Sequence, residues 1–304
     1  MAERTIGIRD VTLRDGLQDE AVVATDDKVA LFEALVAAGI DDVELTSFVR
    51  PDRVPAMADA PELTAATAAR PGITRWALAL NAKGAQRAVA AGLDHLQYVI
   101  SVSDTHSRHN AGRSTAAAVA DLAAIAADLP DRVVVEVTLA TAFGCPYDGA
   151  VAPARVLAVL DDVLAHDVAG VSLADTIGTG VPSEVRRLVT ATVDAVGDRP
   201  VGVHLHDTRG LGIANALAAI EGGACRVDGS VGGLGGCPFA PGASGNLPLE
   251  DLVHLLDAEG VDTGVDIDGL IAAAELACGL VGRSVDSHIG KAGPRFASAG
   301  RTGV

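Results

Sequence analysis

The chain has 304 residues, of which 49% are hydrophobic but only 3% aromatic, and a formal net charge of −17 at pH 7 with histidine neutral. This length buries a sizeable core in one large α/β domain or two smaller ones, and that core has to be packed from Val, Leu, Ile and Ala, a usage that suits parallel strands covered by helices. The charge argues against a nucleic-acid partner, whose phosphates call for basic patches, and against an anionic membrane surface, and no apolar run approaches the length of a membrane span.

Strand-like apolar runs fall at residues 5–13, 42–48, 74–80, 95–102, 132–140, 170–174, 200–206 and 226–231. Alanine-rich stretches with helical periodicity lie between them, at residues 26–38, 83–91, 114–128, 153–166, 182–196 and 209–221. Strand alternating with helix implies parallel βαβ units, and eight units in this length predict a (β/α)8 TIM barrel. An open doubly wound sheet shows the same alternation, but no Gly-x-Gly-x-x-Gly opens a helix after the first strand, which weakens its dinucleotide-binding version. Residues 249–258 and 267–282 read as closing helices, so that residues 1–283 form one barrel domain and residues 284–304 a C-terminal tail.

Cys145, Cys225, Cys237 and Cys278 show no Cys-x-x-Cys spacing and follow no secretory signal, which argues against a disulfide framework or a structural zinc site. Reduced thiols in a cytoplasm are expected, and a strand pattern that begins at Thr5 leaves no room for a transit peptide. Around Cys237, residues 229–246 hold seven glycines and two prolines. Glycines permit positive φ and close backbone approach, and so long a loop in a compact domain is usually functional. A thiol carried over a site by such a loop is expected to be reactive.

In a barrel the catalytic groups sit at the C-terminal ends of the strands. On that reading strand one ends in Arg14-Asp15-Gly16, strand seven in His204-Leu205-His206-Asp207, and the loop after strand eight at Asn246. His204 and His206 are two apart on a strand, so both imidazoles point to one face. A carboxylate, two imidazoles and an amide oxygen make a mixed oxygen and nitrogen set suited to Mg²⁺ or Mn²⁺, and without a thiolate zinc is less compelling. Glu44, Glu136 and Asp175 lie within strand patterns, where a buried carboxylate needs a partner. Glu44 and Asp175 either pair with Arg14, orient metal-bound water, or serve as structural salt-bridge partners. Lys83 reads equally as a phosphate contact and as a solvated lysine at a helix start.

Motifs along nearly the whole chain resemble those of the 3-hydroxy-3-methylglutaryl-CoA lyases. They are Arg14-Asp15-Gly16-Leu17-Gln18 with Glu20, Glu44 with Thr46-Ser47-Phe48-Val49, Asn81 with Lys83-Gly84, Gly144-Cys145-Pro146-Tyr147, Ser172-Leu173 with Asp175-Thr176-Ile177-Gly178, His204 with His206-Asp207-Thr208, and the glycine loop through Gly245-Asn246 to Glu250-Asp251-Leu252. The resemblance implies a metal-dependent (β/α)8 barrel, a homodimer, that cleaves 3-hydroxy-3-methylglutaryl-CoA to acetyl-CoA and acetoacetate. It implies that Asp15, His204, His206 and Asn246 hold the divalent cation and that Arg14 stabilises the developing enolate. Asp15, or water oriented by Glu44, then serves as base, and His204 or Cys237 as acid, with Asp175 nearby. Gln18, Ser47, Asn81 and Lys83 join Arg14 as substrate contacts.

Two departures bear on the substrate. Asp10-Val11-Thr12-Leu13 replaces the Gly-Pro that precedes the family's Arg-Asp-Gly motif, and with Ser103-Asp104-Thr105-His106 it leans toward the condensing enzymes of the same superfamily, of the isopropylmalate or homocitrate synthase kind. On the fifth strand Glu136-Val137-Thr138-Leu139-Ala140-Thr141 replaces Arg-Gly-Tyr-Val-Ser-Cys. A metal set kept beside a changed acyl pocket predicts retained carbon–carbon cleavage on an altered substrate. An acyl-CoA condensing transferase is the alternative, and a barrel that binds metal without turnover is a third reading.

Overall fold

The computed structural model describes residues 6–236 and 245–295. Eight strands, β1 (Gly7–Asp10), β2 (Asp42–Ser47), β3 (Thr74–Ala79), β4 (His95–Ser101), β5 (Val134–Ala140), β6 (Gly170–Asp175), β7 (Val201–Leu205) and β8 (Arg226–Gly229), close into a barrel in sequence order. Every neighbouring pair is parallel, and β1 against β8 completes the ring. The crossovers are α1 (Thr25–Ala37), α2 (Ala60–Ala66), α3 (Ala82–Ala90), α4 (Asp104–Ala111), α5 (Thr115–Asp128), α6 (Pro153–Leu164), α7 (Pro182–Val196) and α8 (Gly212–Glu221). Pro153 and Pro182 open α6 and α7, where a missing N–H removes no helical bond. Asn81, Ser103 and Ser114 cap α3, α4 and α5 with side-chain oxygens.

The sequence pattern misplaces three things. Strand β1 stops at Asp10, four residues before Arg14, and residues 12–16 form a π-helical turn. Helices α2 and α4 are too short and too polar to show a periodicity. After the closing helices α9 (Leu249–Ala258) and α10 (Ile267–Leu280), the segment expected as a tail contains a further helix, α11 (His288–Ala292). It is held by Asp251, whose Oδ2 accepts the His288 N–H at 3.0 Å and whose Oδ1 accepts that of Ile289 at 2.7 Å.

Apolar side chains of the strands and helices form one continuous core, while the lower barrel interior is charged. Arg9 reaches Asp42 at 2.9 Å and Glu136 at 3.0 Å, and Arg226 reaches Glu136 at 2.9 Å and Asp228 at 3.0 Å. These ions are buried but mutually paired, the condition under which a protein interior tolerates them. Gly202 makes the room, since a Cβ there would stand 2.6 Å from an Arg226 guanidinium nitrogen.

Candidate active site

The site is assembled by a turn, a strand and a loop. Asp10 Oδ1 accepts the Thr12 N–H at 2.9 Å and its Oδ2 accepts the Thr12 hydroxyl at 2.6 Å, which bends the chain out of β1. Thr12 Oγ1 in turn accepts the Val231 N–H at 2.9 Å, tying this turn to the base of the glycine loop. The unusual Asp10–Leu13 segment thus has a structural task, and the π-helical turn rather than the strand itself carries Arg14 and Asp15 into the barrel mouth.

Asp15, His204 and His206 each offer one ligand atom, all within 4.8 Å of one another. Asp15 Oδ2 lies 3.9 Å from His204 Nε2 and 3.7 Å from His206 Nε2, and the two Nε2 atoms are 3.2 Å apart. Asn246 bridges to His206 across an antiparallel pair. Its Nδ2 donates to Asp15 Oδ2 at 2.7 Å and to the Leu234 carbonyl at 2.9 Å, leaving its Oδ1 buried without a partner. An orphaned amide oxygen is costly, and beside a carboxylate and two imidazoles it completes an N₂O₂ set of the kind that holds a divalent cation. The residues present therefore fit a metal. Gly235, at φ +118°, makes this closeness possible, because a Cβ there would meet the Asn246 amide at 2.5 Å.

Arg14 lies between two acids. Its Nε donates to Glu44 Oε2 at 2.7 Å, and its Nη1 donates to Asp15 Oδ1. Burial opposes charge on Asp15, but Arg14, His206 and His204 outweigh it and hold the carboxyl well below its ordinary range. Burial pushes Glu44 up despite Arg14, and Glu44 Oε1 is buried without a partner. Burial also lowers His204 to about 4, so its imidazole is neutral at pH 7, the form that binds metal. These groups line one cavity of about 770 Å³, a volume in the range of small-molecule sites.

The remaining expected residues divide. Gln18 and Ser47 line the cavity, and Gln18 Nε2 stands 3.4 Å from Asp15 Oδ1. Asn81 lines it while its Oδ1 caps α3 by accepting the Gly84 N–H at 2.8 Å. Lys83 is exposed and is not among the lining residues; Arg50, Arg53 and Arg108 line the cavity, Arg50 paired with Asp52 and Arg108 with Asp104. Asp175 does not line the cavity either. Its two oxygens accept the N–H groups of Thr179 and Gly180, each at 2.9 Å, so it shapes the loop after β6. Cys237 lies outside the described residues, directly after Gly236, which does line the cavity. Glu136, expected in the acyl pocket, sits below it between Arg9 and Arg226.

Sequence reasoning missed Arg9, Gln97 and Asp228, which also line the cavity. The available signal was a polar side chain set among apolar neighbours within a strand run. Asp228 Oδ2 faces His204 Nδ1 at 3.8 Å, and Oδ1 accepts from Arg226 Nε at 3.0 Å.

Comparison with known proteins places this geometry. The HMGL-like family model matches residues 5–277. The chain is 40% identical over 303 residues to an (R)-citramalyl-CoA lyase of Chloroflexus aurantiacus, covering 96% of each. It is 38% identical to the mitochondrial hydroxymethylglutaryl-CoA lyase of Mus musculus, covering 95% of this chain and 90% of that one. Among solved structures, an HMG-CoA lyase from Acinetobacter baumannii in complex with coenzyme A and 3-methylmalate superposes with a TM-score of 0.93 at 36% identity, covering 98% of both chains.

Proposed function

The chain belongs to the HMGL-like family, that of the 3-hydroxy-3-methylglutaryl-CoA lyases, and on that basis we propose that it is a divalent-metal-dependent carbon–carbon lyase. Its substrate is a CoA thioester bearing a hydroxyl and an alkyl group at C3, 3-hydroxy-3-methylglutaryl-CoA in the first reading. The 40% identity to a citramalyl-CoA lyase over 96% of both chains, together with the altered fifth strand, favours citramalyl-CoA as a second reading. The observation that carries the function is the cluster of Asp15, His204, His206 and the unpartnered Asn246 Oδ1, with Arg14 hydrogen-bonded beside it.

Cleavage breaks the bond between C2 and C3. The C3 hydroxyl loses its proton and becomes a carbonyl, the electron pair passes through C2 to the thioester oxygen, and C2 is then protonated to give acetyl-CoA. Asp15, His204, His206 and Asn246 would hold Mg²⁺ or Mn²⁺, which would supply Lewis acidity toward the substrate hydroxyl. Glu44 Oε1, buried and without a partner, is the acceptor the geometry offers for the hydroxyl proton, and its raised pKa suits a base. Arg14, fixed by Glu44 and Asp15, directs its guanidinium at the enolate oxygen as an oxyanion donor does. We assign the return of the proton to C2 to Cys237, one residue beyond the cavity-lining Gly236.

Turnover of both thioesters with Mg²⁺ or Mn²⁺ and a thiol reductant tests the reading. The expected outcome is acetyl-CoA in equal amount with acetoacetate from the first substrate, or with pyruvate from the second. Release of free CoA from acetyl-CoA and a 2-oxo acid, with no cleavage of either thioester, would identify a condensing transferase instead.

A further inference from the structure

The floor of the cavity carries a chain of hydrogen bonds whose polarity is set by its first member. Arg9 Nη1 donates to Gln97 Oε1 at 2.8 Å and to Glu136 Oε2 at 3.0 Å, and Arg9 Nε donates to Asp42 at 2.9 Å. A guanidinium has donors only, so the amide oxygen of Gln97 faces Arg9 and its nitrogen faces away. That nitrogen donates to Thr138 Oγ1. The Thr138 hydroxyl is thereby an acceptor within the protein, and its own proton has no acceptor among the described residues. Ser172, its register partner on β6, makes no side-chain hydrogen bond and so does not take it.

Arg9, Gln97 and Thr138 all line the cavity while being only 1%, 4% and 7% exposed. A buried hydroxyl with one lone pair already engaged has its proton available to an acceptor that enters the cavity. Because Asp42 and Glu136 balance Arg9, the floor offers the neutral Thr138 hydroxyl rather than free positive charge. Its height is also defined. Thr138 pairs with Ser172, and Ala174, two residues on, pairs with His204. Around the ring the registers slip by about one residue per strand, so Thr138 on β5 and His204 on β7 fall in the same inward-facing layer of alternate strands, and the hydroxyl borders the same cavity as the imidazole.

We propose that Thr138, with its hydroxyl oriented by Gln97 and Arg9, is a specificity-determining donor for a carboxylate on the acyl group, so that the site selects carboxylated over plain alkyl thioesters. This rests on the acyl-CoA reading above and adds to it the residue that chooses the acyl chemistry.

The test uses two thioesters of equal chain length that lack the C3 hydroxyl and cannot be cleaved, glutaryl-CoA and pentanoyl-CoA, titrated calorimetrically into the Mn²⁺-loaded protein. Wild-type protein is expected to prefer glutaryl-CoA. Thr138→Val should weaken glutaryl-CoA by about 10- to 100-fold, the range for a lost hydrogen bond to a charged group, and leave pentanoyl-CoA and Mn²⁺ affinities unchanged. Thr138→Ser should keep the preference. Gln97→Glu should abolish it with Thr138 intact, because the new carboxylate takes the hydroxyl proton. Wild-type affinity for glutaryl-CoA in both Thr138→Val and Gln97→Glu would overturn the proposal. Wild-type protein that binds neither thioester would overturn the acyl-CoA reading and this proposal with it, a result distinct from the first.

Discussion

At the level of single residues the site separates groups that hold from groups that react. Asp15 has both oxygens engaged, one by Arg14 and one by Asn246, and its carboxyl is held charged. Asp15→Ala should abolish Mn²⁺ binding and turnover together, which equilibrium dialysis and a product assay would read in parallel. Arg14→Lys keeps a cation between two buried acids and loses the guanidinium fork. It should retain Mn²⁺ while kcat falls by about 10² to 10³, the effect of one lost oxyanion donor; unchanged kcat would remove Arg14 from the enolate. That Asp15, His204 and His206 would converge was legible from residue type and spacing, because a His-x-His pair on a strand has one geometry. The roles of Gln97 and Thr138 were not, since the direction of an amide and a hydroxyl depends on Arg9, which is 88 residues from Gln97 in the chain.

At the level of elements, the barrel mouth is joined to the C-terminal segment through α9. Glu250 Oε1 accepts the Gly232 N–H and the Ser287 hydroxyl, both at 2.9 Å, so one carboxyl touches the glycine loop and the residue capping α11. Burial pushes Glu250 up from 4.5 to about 7. The folded protein therefore holds that proton where the unfolded chain has lost it, and stability should fall as pH rises from 4.5 through about 7. The full effect is about 3 kcal/mol. Glu250→Gln should flatten this slope, read as thermal midpoints of both proteins across the interval; parallel curves would count against it. The closing helices were readable as apolar periodicity, whereas α11 was not, because five residues hold no periodicity and its anchor, Asp251, comes from another element.

At the level of the whole molecule, a chain of net charge −17 presents Arg50, Arg53 and Arg108 at its cavity mouth. Arg50 and Arg108 are paired with Asp52 and Asp104, so on the acyl-CoA reading proposed above Arg53 is the arginine of the three left to attract an anionic thioester against the overall field, an attraction that salt screens. Raising ionic strength should increase KM for the acyl-CoA with kcat little changed, and Arg53→Ala should flatten that dependence; a salt response identical to wild type would place the phosphates elsewhere. Among the described residues no helix is long and apolar enough to cross a membrane. The eightfold alternation of strand and helix was determined by the sequence alone, because burial periodicity is a local property; its closure into a barrel rather than an open sheet is shown by the pairing of β1 with β8. The sequence alone also determined the grouping of Asp15, His204, His206 and Asn246, which sit in recognisable motifs. Only the tertiary structure decided that Arg14 and Asp15 ride on a π-helical turn, that Asp175 serves its own loop, and that Glu136 is neutralised beneath the pocket. Each of those outcomes depends on which charges and hydrogen-bond partners distant strands bring together when the barrel closes, and pairing across a ring leaves no periodic trace along the chain.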